Sequence, residues 1–245
     1  MHDRRSFLTK VAAGTAIVWT APIISSASAS AAGSCGVRPQ FRSASGTTGA
    51  AGVSSLTVSP PAGIQVGDVL LAVATLAGDQ NANISAPAGW SVPFNNIGIN
   101  AQQSRVSLCT RKVTGGESYT FTKTGGGVWA IGIVAYRLTS AIPGNPQQQA
   151  NSTTPVTAPS LVVQGNELCG LVVFLGSTPV TPAPPNPVPW TAPTGFTFRF
   201  FQGTQGFPDI YVADRPVSSP GPTGSVSAST TPSRASLGMH LLLLP

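Results

Sequence analysis

Few side chains in this chain of 245 residues could do chemistry. Residues 32–245 hold six acids, Asp68, Asp79, Glu117, Glu167, Asp209 and Asp214, and one histidine, His240. General acid–base catalysis needs titratable groups brought together. Asp209 and Asp214 lie five apart in a strand-like run, and an odd separation on a strand sends side chains to opposite faces. They read as separate, solvated strand ends. His240, in GMHLLLL, occupies an ordinary strand position, and no serine sits in G-x-S-x-G. No pair of cysteines or histidines has metal-ligand spacing. Asp79-Gln-Asn81-Ala-Asn83 has the D-x-N-x-N opening of a calcium loop. However, Ile84 stands where the turn glycine belongs and Trp90 where the closing glutamate belongs. Asp79, Asn81 and Asn83 are therefore a weak calcium candidate and a better polar turn. No cofactor is expected, and an enzyme, a glycan hydrolase for instance, is the least supported reading.

Binding chemistry has more to work with. An aromatic ring face can stack on a sugar ring, and Trp129 and Trp190 are the candidates. Internal comparison gives them Ala235 and Ile84 as partners, so neither ring is required by the repeat described below. Pro87-Ala-Gly89-Trp90 and Pro193-Thr-Gly195-Phe196 are turn sequences, with glycine free to take positive φ. Their aromatics are expected to plug core ends. The basic residues are scattered, with Arg111-Lys112 the only adjacent pair beyond the N-terminus, so no nucleic-acid footprint is present. Cys35, Cys109 and Cys169 make an odd count. Cys109 and Cys169 lie in strand-like runs; a bridge between them is one option, and free thiols are the favoured expectation.

The elements that must position these residues are strands. Runs rich in Val, Ile, Phe, Tyr and Thr are separated by Gly, Pro, Asn and Ser clusters. SYTFTK and GFTFRF alternate with period two. LLAVATL, LVVFL, IGIVA and LLLL are apolar at every position, as central strands covered on both faces must be. The chain is also written twice. VGDVLLAVATLAG (66–78) aligns with QGNELCGLVVFLG (164–176), and SAPAGWSV (85–92) with TAPTGFTF (191–198). VSLCTRKVTGG (106–116) aligns with IYVADRPVSSP (210–220), IGIVAYRL (131–138) with LGMHLLLL (237–244), and SSLTV (54–58) with PSLVV (159–163). The expectation is an all-β fold, a jelly-roll-like β-sandwich over 40–245, built from duplicated halves 40–140 and 146–245. Two tandem immunoglobulin-sized sandwiches are the alternative.

The N-terminus carries an address. A basic stretch, the apolar run VAAGTAIVWTAPII (11–24) and the small residues SASASAA form a secretory signal peptide over residues 1–31. The apolar run is shorter than the roughly 20 residues a bilayer-spanning helix needs, so no stable transmembrane segment is expected after cleavage. DRRSFLTK resembles the twin-arginine export signal, through Arg4, Arg5, Phe7, Leu8 and Lys10. That resemblance implies the twin-arginine machinery as a partner and export of a folded protein. Cleavage is expected after Ala29 or Ala31. A rival is lipid anchoring at Cys35, in AAGSC, where Ala32 is not the usual aliphatic. Residues 32–39 are then a flexible lead. Removing residues 1–31 takes three positive charges and one negative, lowering the formal charge from +6 to +4.

Gly67-Asp68 before an aliphatic strand, the turn Pro87-x-Gly89-Trp90, the Y-T-F-T strand at 119–122 and the A-Y-R strand at 135–137, followed by a degenerate second copy, are similar to a loosely defined group of secreted bacterial and phage-tail-associated β-sandwich domains. The resemblance implies a fold and a surface or appendage role, and brings no catalytic residues. Together these readings predict an exported, extracellular or cell-envelope protein, non-enzymatic, structural or adhesive. The alternative is a carbohydrate-binding module for cell-wall or environmental polysaccharide. Expected partners are a polysaccharide or a surface protein.

Overall fold

The computed structural model describes residues 37–99, 103–139, 146–153, 155–178, 189–204, 206–231 and 233–245. The export-signal residues Arg4, Arg5, Phe7, Leu8 and Lys10, the cleavage sites Ala29 and Ala31, and Cys35 lie outside the described residues.

Turn-forming glycine and proline clusters cut the chain into short extended runs, and those runs are the strands. The first half forms β1 (Gln40–Gly49), β2 (Ser55–Thr57), β3 (Val69–Ala77), β4 (Ile84–Ser85), β5 (Ser91–Ile99), β6 (Ser104–Lys112), β7 (Thr120–Lys123) and β8 (Val128–Arg137). The second forms β9 (Gln147–Asn151), β10 (Val156–Ala158), β11 (Val162–Val163), β12 (Leu171–Thr178), β13 (Trp190–Thr191), β14 (Thr197–Gln202), β15 (Asp209–Pro216), β16 (Gly221–Pro222), β17 (Val226–Thr230) and β18 (Ser236–Leu243). Pairing is antiparallel, and the architecture is an all-β sandwich.

Sheet order repeats from half to half. The first half makes a five-stranded sheet β1-β8-β3-β6-β5 and a small sheet β2-β7-β4. The second makes β9-β18-β12-β15-β14 and β10-β17-β13, with an added ribbon β11-β16. The two large sheets share one core, in which Val69, Leu71, Val73, Leu108 and Val134 meet Leu171, Val173, Leu175, Val212 and Leu241. Each small sheet covers the outer face of its own large sheet. The middle strands β3, β12 and β18 are thus covered on both faces and buried at every position, which is why their sequences show no alternation. The layering is a central sandwich with one large sheet from each half, each backed on its outer face by the small sheet of the same half.

Ladder registers fix which residues are equivalent. Val69 pairs with Tyr136 and Lys112, and Leu171 with Leu243 and Pro216. The alignment of 106–116 with 210–220 agrees with this register. Three other points differ. β12 starts only after a 3-10 turn at Gly165–Glu167, so Val69 corresponds to Leu171 and not to Glu167. β18 is shifted by one residue from the aligned frame. That one-residue step changes faces, since Ile131 lies on the outer side of its sheet and Leu237 on the inner. β2 corresponds to β10, not to the run 159–163, because β7 and β17 pair with β2 and β10.

The halves are joined by specific contacts. The hydroxyls of Thr75 and Ser177, equivalent positions on β3 and β12, lie 2.7 Å apart in the core. β1 packs against β14, and reciprocally β5 against β9, as twofold-related elements do. A bulge in β14 between Phe198 and Phe200 turns Phe200 inward. There its ring fills the hollow left by Gly46 and Gly132, whose missing Cβ atoms would stand 2.8 and 2.6 Å from it. Beside it, Arg199 Nε and the Tyr136 hydroxyl both donate to Asp214 Oδ2, at 2.8 and 3.0 Å. Phe41 lies under the Arg199 guanidinium at 5.4 Å and meets Tyr136 edge-on. Burial, with the Asp214 carboxylate alongside, pushes the Tyr136 phenol well above its ordinary range. Asp209 and Asp214 are therefore not solvated strand ends. Both are buried, because each has a partner in the neighbouring structure.

Candidate functional site

The outer face of β14 and β15 carries the aromatic surface of the second half. The turn Pro193–Phe196 closes through a Phe196 N–H to Pro193 carbonyl bond of 3.0 Å, with Gly195 at φ +79°. Its counterpart closes from Trp90 to Pro87, with Gly89 at φ +81°. Trp90 is buried and donates from Nε1 to the Ser118 carbonyl at 3.0 Å, plugging the end of the first half. In the second half the chain leaves the turn into the bulged strand β14, which places Phe198 and Phe201 outward.

Trp190, Ala192, Phe198, Phe201 and Tyr211 line an open cleft of about 300 Å³. Trp190 stacks on Tyr211 with centroids 5.0 Å apart and planes 9° from parallel. Phe198 tilts against the same tyrosine at 5.6 Å and is 53% exposed. Glycines make room for two of these rings. A Cβ at Gly176 would stand 2.7 Å from the Trp190 ring, and one at Gly203 would collide with Phe201. Among the described residues, no charged side chain lines the cleft. Trp190 Nε1 is shielded from solvent and has no acceptor among the described residues. Tyr211 is 3% exposed. Burial raises its phenol above the usual value. The lining described is thus aromatic and apolar.

The two tryptophans singled out from the sequence part company here. Trp190 belongs to the cleft. Trp129 does not, and its expectation as a ligand platform is corrected: it is fully buried between the first half's sheets, against Gly49. Lys123 stands 5.9 Å over its ring and donates to the carbonyls of Ala51, Gly125 and Gly126 at 2.9, 3.0 and 3.0 Å. Phe198, Phe201, Tyr211 and Ala192 were not among the sequence candidates. The signal available was FTFRFF at 196–201, four phenylalanines in six residues just after Trp190.

At the calcium candidate, both oxygens of Asp79 are engaged by backbone. Asn81 N–H donates to Oδ1 at 2.8 Å and Gly126 N–H to Oδ2 at 2.7 Å. These bonds lower the Asp79 carboxyl below its usual value. The Asn83 N–H donates to Thr124 Oγ1, so the segment is a turn clamped to the β7–β8 loop. Among the described residues no three His, Cys, Asp or Glu side chains gather as metal ligands. Cys109 is a buried free thiol, pushed up to about 12 by burial. Cys169 is disulfide-bonded. The expectation of free thiols is therefore corrected for Cys169, and a Cys109–Cys169 bridge is excluded.

No protein-family model matches the chain, and no curated protein or solved structure matches it at a significant level.

Proposed function

We propose that this is an exported, non-enzymatic protein of the cell surface, a structural or adhesive β-sandwich. One observation supports the non-enzymatic part above all: each acid among residues 37–245 already has structural work. Asp68 binds Arg42 and the Gln65 N–H. Asp79 clamps a loop, as above. Glu117 takes the Thr114 and Gly115 N–H groups, and Glu167 the Gln164 N–H. Asp209 accepts from Thr178 and lies in the field of Arg234. Asp214 is shared between Arg199 and Tyr136. His240 is fully buried against the Pro159 carbonyl. A general acid or base needs reach to a substrate and freedom to exchange a proton; the structural bonds of these acids, and the burial of Asp68, Asp209, Asp214 and His240, support the non-enzymatic reading.

The export part rests on the twin-arginine-like signal and the scarcity of charge. The carbohydrate-binding alternative has lost its two-ring platform with the burial of Trp129 and rests on Trp190 alone.

Fractionation of producing cells tests the proposal. The protein is expected in the envelope or medium, and the double change Arg4→Lys, Arg5→Lys should hold it in the cytoplasm. A wild-type protein confined to the cytoplasm overturns the reading. Release of the surface-bound protein by soluble polysaccharide would instead make it a carbohydrate-binding module.

A further inference from the structure

We infer that the disulfide of Cys169 is made with Cys35, and that it staples the start of the first half to the base of β12. The bridge goes beyond the surface role proposed above and does not depend on it; it needs only an oxidising setting.

The partner follows by elimination. The chain has three cysteines, Cys35, Cys109 and Cys169. Cys169 is disulfide-bonded. Cys109, on β6, is a buried free thiol. Within one polypeptide, Cys35 is what remains.

Placement agrees. Cys169 stands two residues before Leu171, the first residue of β12, and Leu171 pairs with Leu243 at the end of β18. Gly170 between them is fixed. Its N–H donates to the Glu167 carbonyl at 2.8 Å, and its carbonyl accepts from the Val217 N–H at 3.0 Å. It lies so close to the end of β18 that a Cβ on it would stand 2.9 Å from the Leu243 carbonyl. Pro245, two residues further on, lines an open hollow together with Val37, Val66 and Leu138. Val37 and Cys169 therefore enter at the same end of the central sandwich, one from each half. Cys35 is two residues from Val37, a reach of about 7 Å, and a disulfide brings its Cα atoms to about 4.4–6.8 Å.

The bond forms by thiol–disulfide exchange. Two thiols lose two protons and two electrons as the S–S bond is made. The disulfide of a small thiol or of an oxidoreductase takes them up and leaves as two thiols. β1 is an edge strand of its sheet, and β12 is the middle strand of the other. Chain ends fray unless tied down, and this bridge ties the lead into β1 to the opposite half. It also encloses residues 36–168 in a covalent loop, which restricts the unfolded chain. The same sulfur cannot carry a lipid thioether, so a bridged Cys35 is not a lipid anchor.

Peptide mapping tests the proposal. Protein purified from producing cells is equilibrated with oxidised glutathione, alkylated with iodoacetamide and digested without reduction. A cross-linked pair of peptides holding Cys35 and Cys169 is expected, lost on reduction, with Cys109 alkylated only once the chain is denatured. Cys35→Ser and Cys169→Ser should lower the urea midpoint by the same amount, and the double change should lower it no further. Dithiothreitol should bring the wild type to that same midpoint and leave both variants where they are. If a variant fails to fold, the peptide map decides alone. Separate thiols or glutathione adducts at Cys35 and Cys169, a Cys169 link between two chains, or a lipid on Cys35 overturns the proposal. So does additivity of the two single changes.

Discussion

His240 lies at the centre of β18, fully buried, with Nδ1 3.1 Å from the Pro159 carbonyl and its ring 6.2 Å from Phe196. Removal from water disfavours the imidazolium and lowers its pKa to about 4, from an ordinary 6.5. The unfolded chain takes the proton first as the pH falls. From pH 6.5 down to about 4 it therefore binds more protons than the native state, and stability declines through that window. The full loss is about 3 kcal/mol at most. Urea unfolding at pH 7 and pH 4.5 should show the midpoint falling in the wild type and falling less in His240→Gln. An equal fall in both would assign the acid sensitivity to other groups. As a residue, then, this histidine is an apolar-core member with a polar tether, and its chemistry is spent on folding.

Among the elements, β14 does the most with the least sequence warning. A regular strand would send Phe198 and Phe200 to the same face. The bulge between them separates their destinations, one to the cleft and the other to the shared core. Periodicity in GFTFRF cannot show a bulge, because an inserted residue leaves composition unchanged and alters only the ladder. The same limit explains β18, where a one-residue register step is invisible in LGMHLLLL, a run buried on both faces. By contrast, the β class, the duplicated order and the glycine turns were legible, since turn chemistry and aliphatic runs are local properties. Trp129 was misread as a platform because burial depends on β7 and the loops around Lys123 closing over it. Filling the Phe200 hollow is the test of this element. Gly132→Ala should push the ring out and destabilise by about 1–3 kcal/mol, read as a lower denaturant midpoint. Adding Phe200→Leu should recover part of the loss; independent, additive effects would show that the ring and the glycine do not meet.

At the scale of the molecule, the two large sheets have no separate cores on their facing sides. Each would expose a wide apolar surface without the other. Thermal or denaturant unfolding should therefore give one cooperative transition, followed identically by near-ultraviolet and far-ultraviolet circular dichroism. Two resolved transitions would show that each half stands alone. The hydroxyl pair of Thr75 and Ser177, 2.7 Å apart at equivalent positions, has a further implication. It is the kind of self-contact found on the axis of a homodimer, here made within a single polypeptide. Covalent tethering replaces dilution-sensitive association by a fixed local concentration, so the pairing survives dilution. It also frees the copies from having to be identical. A homodimer must present every surface feature in duplicate, whereas this chain can place the cleft of Trp190, Phe198, Phe201 and Tyr211 in its second half without a matching one in the first.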